Sequence, residues 1–204
     1  MKQKGVILLF LILAVGPAPS SANSELIVLD PDDFTVGTDI SNAFPGAALS
    51  AIGTAPTTPT VFVGNRFNTN IFAHDGPIPE EWGRVAPANF DTRLRIDFDI
   101  PAKHVVVDFL PNDSFDPGLL EVFNIADELL DAVNTPGMTT SGMISTARID
   151  RSQGDIAYAL TWSLDATALF IDKVGFLPVP EPLSLVLVSV FLFGLHLRAS
   201  RSAR

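Results

Sequence analysis

An all-β fold, a single antiparallel β-sandwich, is predicted by three features of this chain. Leu94, Ile96, Phe98 and Ile100 alternate strictly with Arg93, Arg95, Asp97 and Asp99, the period of a strand with one face in a core and the other in water. Apolar stretches of strand length recur at Ile144–Ile149, Ile156–Trp162 and Leu169–Phe176, separated by turn residues such as 150–154 and 165–167. Between residues 32 and 88, prolines at 45, 56, 59, 77, 79 and 87 leave no room for a long helix.

The chain opens with Lys2 and Lys4, an apolar run from Val6 to Val15, and small residues at Ser20-Ser21-Ala22. That order is the order of a secretory signal, with cleavage expected after Ala22. Residues 1–22 are therefore read as a signal helix and set apart from the fold. The body, 23–177, is the length of one domain.

Within the body, Leu26–Leu29 is a first short strand, ended by Asp30-Pro31. Val61–Val63 and Ile71–Ala73 are apolar islands in a Gly-, Pro-, Thr- and Asn-rich segment. Lys103–Leu110 holds Val105, Val106 and Val107, and β-branched residues favour a pleated surface. The short Pro101-Ala102 break predicts a hairpin between 93–100 and 103–110. Residues 119–133 support two readings. Asp116-Pro117 resembles a helix start, and Glu121, Asn124, Glu128 and Asp131 fall on one helical face. The same stretch also divides into strand, turn and strand around Ala126-Asp127-Glu128. The capping signals favour the helix.

The end of the chain has three parts: Pro180-Glu181-Pro182, an apolar run from Leu183 to Leu197, and a tail with Arg198, Arg201 and Arg204. As a helix the run is about 22 Å long, shorter than a hydrocarbon core of about 30 Å. Arginines beyond it are what a cytoplasmic membrane edge carries. This order resembles the PEP-CTERM sorting signal of Gram-negative bacteria, and the resemblance covers residues 178–204. It implies a transient membrane helix at 183–197 in the inner membrane, a basic tail at 198–204, and recognition of Pro180, Glu181 and Pro182 by an exosortase-type enzyme. It also implies delivery of the body to the cell surface or the exopolysaccharide matrix.

Between those ends, eight Lys and Arg stand against 22 Asp and Glu, a formal charge of −14. A surface so acidic argues against nucleic acid or anionic lipid as partner, since both need phosphate neutralised by Lys and Arg. The absence of cysteine excludes disulfides and thiolate metal sites. No nucleophile elbow, phosphate loop or dinucleotide fingerprint occurs. His74 and His104, the only histidines of the body, lack metal-motif spacing and are expected to be surface or hydrogen-bonded residues. Asp97 and Asp99 share a strand face with Arg93 and Arg95, so cross-strand ion pairing or plain exposure is expected there rather than a catalytic carboxylate pair.

In the last strand, Asp172 shares a predicted face with Phe170, Val174 and Phe176. A buried carboxylate needs donors, a base or a metal; otherwise it caps loop amides or points to solvent. This ending, Ile171-Asp172 followed by Val174 and Phe176, resembles the final strand of jelly-roll carbohydrate-binding modules. The resemblance implies a jelly-roll-like sandwich and a structural calcium ion held by Asp172 with Glu25 and Asp30. Trp82, in a proline-rich segment, and Tyr158 with Trp162, on one strand face, are the aromatics suited to stacking on sugars; core packing is the favoured reading, because aromatics dominate cores. The expected role is that of an exported structural or adhesive surface protein without enzymatic activity. A secreted carbohydrate-binding module and a secreted hydrolase are the alternatives.

Overall fold

The computed structural model describes residues 25–53, 58–66, 68–74, 84–85, 90–111, 117–135, 144–163 and 169–179. All lie within one compact unit, Ser24–Val179. The signal expected at 1–22, the sorting segment from Pro180 to Arg204, and Trp82 lie outside the described residues. Among the described residues no helix is long and apolar enough to cross a membrane.

The described chain is antiparallel β structure with one 3-10 turn, Pro31–Asp33. Its strands are β1 (Ile27–Leu29), β2 (Ala47–Gly53), β3 (Val61–Arg66), β4 (Thr69–His74), β5 (Arg84–Val85), β6 (Phe90–Pro111), β7 (Gly118–Phe123), β8 (Leu129–Asn134), β9 (Ser145–Asp150), β10 (Ile156–Ser163) and β11 (Leu169–Pro178).

β6 organises the molecule. Its first half pairs with β2 and β10, and its second half with β9 and β11. Two layers result, one ordered β2-β6-β10-β7-β8 and the other β1-β11-β6-β9, joined by the strand they share. Passing one strand from layer to layer through a bend is how sandwich corners are made. Here two steps of β10, from Tyr158 to Ile156, span five steps of β6, from Asp97 to Ala102. The extra residues shift the strand's phase: Leu94, Ile96 and Phe98 face the core before the bend, and Val105, Val107 and Phe109 after it. The hairpin expected at Pro101-Ala102 is thus replaced by a bend within one strand. The proline has no N–H to offer a ladder, and its carbonyl instead accepts from the Val179 amide at 2.9 Å.

The core between the layers joins Leu49, Leu94, Ile96, Leu120, Val122 and Ala159 from one side to Val107, Phe109, Ile149, Ile171, Val174 and Phe176 from the other. Each large aliphatic or aromatic side chain so buried is worth about 1.5–3 kcal/mol. The β3–β4 hairpin adds Val61, Val63 and Phe72 to this core, and Ile71 packs with Leu110 and Phe170 in a smaller cluster.

Residues 119–133 form the hairpin β7–β8 and not the helix that the cap signals favoured. Two local features decide it. The Asn124 side-chain oxygen accepts from the amides of Ala126 and Glu128 at 2.9 and 3.0 Å, and Asp127 adopts a left-handed φ of 60°. Together they close a tight turn. Pairing of β7 with β10 over six residues then supplies the backbone bonds a helix would have made internally.

Candidate functional site

Along β10 the inward residues are Ile156, Ala159 and Thr161, and the outward ones are Tyr158, Leu160 and Trp162. The outward set is an apolar stripe in its own right, packed with Leu119 and flanked by Ile52 and Phe123. Tyr158 and Trp162 do share a face, as alternation predicts, but they are not an open platform: they are only 7% and 6% exposed. The Arg93 guanidinium carbon lies 4.1 Å from the Trp162 ring centroid, and that of Arg95 lies 3.9 Å from the Tyr158 centroid. Phe123 stacks on Tyr158 as well. Tyr158 carries a guanidinium and a phenyl group on its ring, and Trp162 carries a guanidinium over a ring that is almost wholly buried, so neither ring lies open to a sugar. Core packing, the favoured reading of these two residues, is the use this geometry gives them.

Tyr158 nevertheless reaches a cleft through its edge. The cleft, about 370 Å³, lies where the β6 bend meets the β7–β8 turn, and is lined by Arg95, Asp97, Asp99, Ile125, Asp127 and Tyr158. Arg95 donates from Nε and Nη2 to Asp97 at 2.7–3.0 Å. The arginine's pKa is raised, chiefly by that bond. This ion pair is made within one strand and not across strands as expected of the face. The Tyr158 hydroxyl is pushed above the usual tyrosine range, first by burial and then by the Asp127 carboxylate. Ile125, at the hairpin tip, is 91% exposed. The cleft thus offers carboxylate acceptors, a guanidinium donor, a phenol and one apolar lip. Such a set can hydrogen-bond hydroxyl groups and rest against C–H surface. Asp127 and Ile125 are the members that sequence reasoning missed, because their placement depends on the turn that replaced the helix.

The second expected site lies at the start of β11. Ile171 pairs with Phe109 and Lys173 with Asp108, so Asp172 is the extra residue of a β-bulge. The bulge breaks the alternation that placed Phe170 with Val174 and Phe176: Ile171, Val174 and Phe176 enter the main core, and Phe170 joins Ile71 and Leu110. Asp172 is 2% exposed, and its Oδ1 has no hydrogen-bond partner. Burial, reinforced by Asp30, Asp32 and Asp108 and opposed by Lys173, raises its pKa to about 6. Asp30 is committed elsewhere: Oδ2 pairs with Lys173 Nζ at 2.7 Å, and Oδ1 accepts from the Asp32 amide at 3.0 Å. Glu25 is exposed, two residues before β1, whose Ile27 pairs with Phe176 at the other end of β11's pairing with that strand. Among the described residues no three His, Asp or Glu groups are placed to hold a metal ion. Asp30 and Asp172 are therefore neighbours, while Glu25 is not brought to them.

No protein-family model matches the chain, and no curated protein matches it. Several solved structures match it weakly. The catalytic unit of a GH87 α-1,3-glucanase from Streptomyces thermodiastaticus is 10% identical, with 79% of this chain and 28% of that one covered and a TM-score of 0.36. A GH51 α-L-arabinofuranosidase is 13% identical over 78% of this chain and 27% of that one, at 0.38. The K1 cleaved adhesin domain of Lys-gingipain from Porphyromonas gingivalis is 10% identical over 74% and 97%, at 0.36. This chain spans about a quarter of the length of the two enzymes. Likeness at this level does not reach function.

Proposed function

We propose that this protein is exported, sorted to the cell surface or extracellular matrix through residues 178–204, and adhesive there, holding saccharide hydroxyls in the Tyr158 cleft. Export and sorting rest on the ordered charged, apolar and small-residue segments of 1–22 and on Pro180-Glu181-Pro182 with its apolar run and arginines. The observation that carries the adhesive role is the meeting of Asp97, Asp99, Asp127 and Arg95 beside exposed Ile125 around one opening. Its volume falls in the range of about 300–1,000 Å³ typical of small-ligand clefts. Fixed polar groups that accept and donate within one cleft suit a ligand dense in hydroxyls. The carboxylates disfavour an acidic one, so the ligand is a neutral saccharide.

Two measurements test this reading. Fractionation of the native host with intact-mass analysis is expected to recover a protein trimmed at both ends, outside the cytosol. An unclipped cytosolic chain would overturn sorting. Pull-down on neutral polysaccharides is expected to retain the wild type and to lose the Asp97→Asn/Asp99→Asn double variant by about tenfold, the value of one lost charged hydrogen bond. Retention of both proteins alike, or of neither, would remove the adhesive role from the cleft.

A further inference from the structure

The layer β1-β11-β6-β9 turns Leu29, Val107, Val174 and Phe176 into the core and leaves an apolar row on its outer face. Val28, Gly175 and Val106 are partners across three strands. Val28 is 49% exposed, and Leu26, two residues before it, is 44% exposed. A Cβ at Gly175 would meet Val106 Cγ1 at 2.8 Å and Leu26 Cδ1 at 3.6 Å. Leucine and valine therefore close over the glycine in one patch, and Leu177 shares a concavity wall with Leu26.

Most charged groups around this patch are matched within the fold. Lys173 Nζ lies 2.7 Å from Asp30. Arg148 donates from Nε and Nη2 to Asp150 at 2.7 and 3.2 Å, and His104 Nδ1 lies 2.8 Å from the same carboxylate. Arg151, in the turn after β9, is held by Asp155 and also feels Asp131. Two groups remain, one of each sign. Lys103, which opens onto the same concavity as Leu26 and Leu177, makes no ion pair among the described residues. Asp108 accepts from the Thr146 hydroxyl at 2.6 Å and has no base in ion-pair range among them. The two stand at opposite ends of the patch on β6, about 17 Å apart along the strand.

Residues 23–177 carry eight Lys and Arg against 22 Asp and Glu, so two such bodies repel each other over most of their surface. Here Lys103, Arg148, Arg151 and Lys173, four of the eight bases, gather against as many carboxylates, and the repulsion is relieved. An acidic partner finds both guanidinium groups already engaged, and a basic partner is better matched elsewhere on the body. We propose that two copies of this protein associate through this face about a two-fold axis. An axis along the Val28-Gly175-Val106 row lays that row on its own counterpart and reverses the strand direction. Lys103 of each copy then meets Asp108 of the other. An apolar centre with a polar rim is the anatomy of a protein interface. Four strands about 4.8 Å apart, over six residues of about 3.4 Å each, give a face of roughly 400 Å². That is about half of the roughly 800 Å² per partner in a standard interface, so the dimer is weak and depends on concentration. The face shares no residue with the Tyr158 cleft, and dimerisation does not depend on saccharide binding.

The test is sedimentation equilibrium of the protein recovered from its host, from micromolar to millimolar concentration. A monomer–dimer equilibrium is expected. Val28→Glu sets a carboxylate against its own copy at the apolar centre and should weaken association by about tenfold or more. Lys103→Asp or Asp108→Lys alone sets like charges together at both symmetric contacts and should weaken it severalfold. The Lys103→Asp/Asp108→Lys exchange restores opposite charges and should recover the wild-type association. The proposal is overturned by a monomer at every concentration, by Val28→Glu associating like the wild type, or by an exchange that recovers nothing over the single variants. A monomer whose retention on polysaccharide is abolished by Val28→Glu would overturn it too, and give the face to a saccharide.

Discussion

Tyr158 lies flat against Phe123, with ring centroids 4.8 Å apart and planes 6° from parallel. Arg95 sits 3.9 Å from the same tyrosine centroid. Two groups at such distances cannot share one ring face, so the tyrosine is clasped between a phenyl group and a guanidinium. Its hydroxyl is then the part that works in the cleft, and its ring is structural. Tyr158→Phe should keep the clasp, change stability by less than about 1 kcal/mol, and weaken saccharide retention. Phe123→Ala should cost about 2 kcal/mol, from lost stacking and area together. Urea unfolding of the two variants separates the roles.

Asp127 holds a conformation that suits glycine better. Its φ of 60° is strained for a residue with a side chain, by about 1 kcal/mol. Asp127→Gly should therefore raise the melting temperature while stripping a carboxylate from the cleft, so that stability and saccharide retention move in opposite directions. A second readout is direct, because Tyr158 is the only tyrosine of the chain. Ultraviolet titration should find it above the usual tyrosine range in the wild type, and lower in Asp127→Asn. Burial is the larger cause and persists in the variant, so the shift should shrink without vanishing.

Gly118 opens β7 beneath Phe109. A Cβ at this position would meet three ring atoms of Phe109 at 2.8 Å, and that ring is fully buried in the main core. Gly118→Ala should cost about 1–3 kcal/mol by overpacking. A melting curve equal to that of the wild type would show that the ring has room to move.

Most strands were legible because alternation and β-branching are local signals. Residues 94–98, 144–149 and 156–162 needed nothing else. β2 was harder to see, because its inward positions include Ala47 and Ala51 and its outward ones Ala48 and Ile52, which leaves little contrast between faces. The misread regions all break periodicity. The bend of β6 and the bulge at Asp172 are set by pairing with strands distant in sequence, and the turn at Asp127 by the Asn124 side-chain bonds, which periodicity does not register. The cleft flanks the β6 bend. It is therefore the least visible feature, although Arg95, Asp97 and Tyr158 each stand out on their own strands.

The bulge at Asp172 gives the strongest dependence on pH. Folding removes this carboxylate from water, leaves Oδ1 without a donor, and raises its pKa from the ordinary 3.8 to about 6. Above pH 6 both the folded and the unfolded chain carry the charge, and the fold bears its full cost. Below about pH 4 both carry the proton, and the cost is gone. Between the two, the folded chain binds the extra proton, so this residue's contribution to stability falls as pH rises. A shift of about two units corresponds to roughly 3 kcal/mol. Asp172→Asn keeps the shape and removes the charge, so it should be more stable than the wild type at pH 7 and equal to it near pH 4. The gap should open between those values. The Lys173–Asp30 pair, at 2.7 Å, is present in both proteins. Urea unfolding of wild type and variant at pH 4, 5, 6 and 7 measures the gap. A constant difference across that range would mean that Asp172 is not titrating inside the fold.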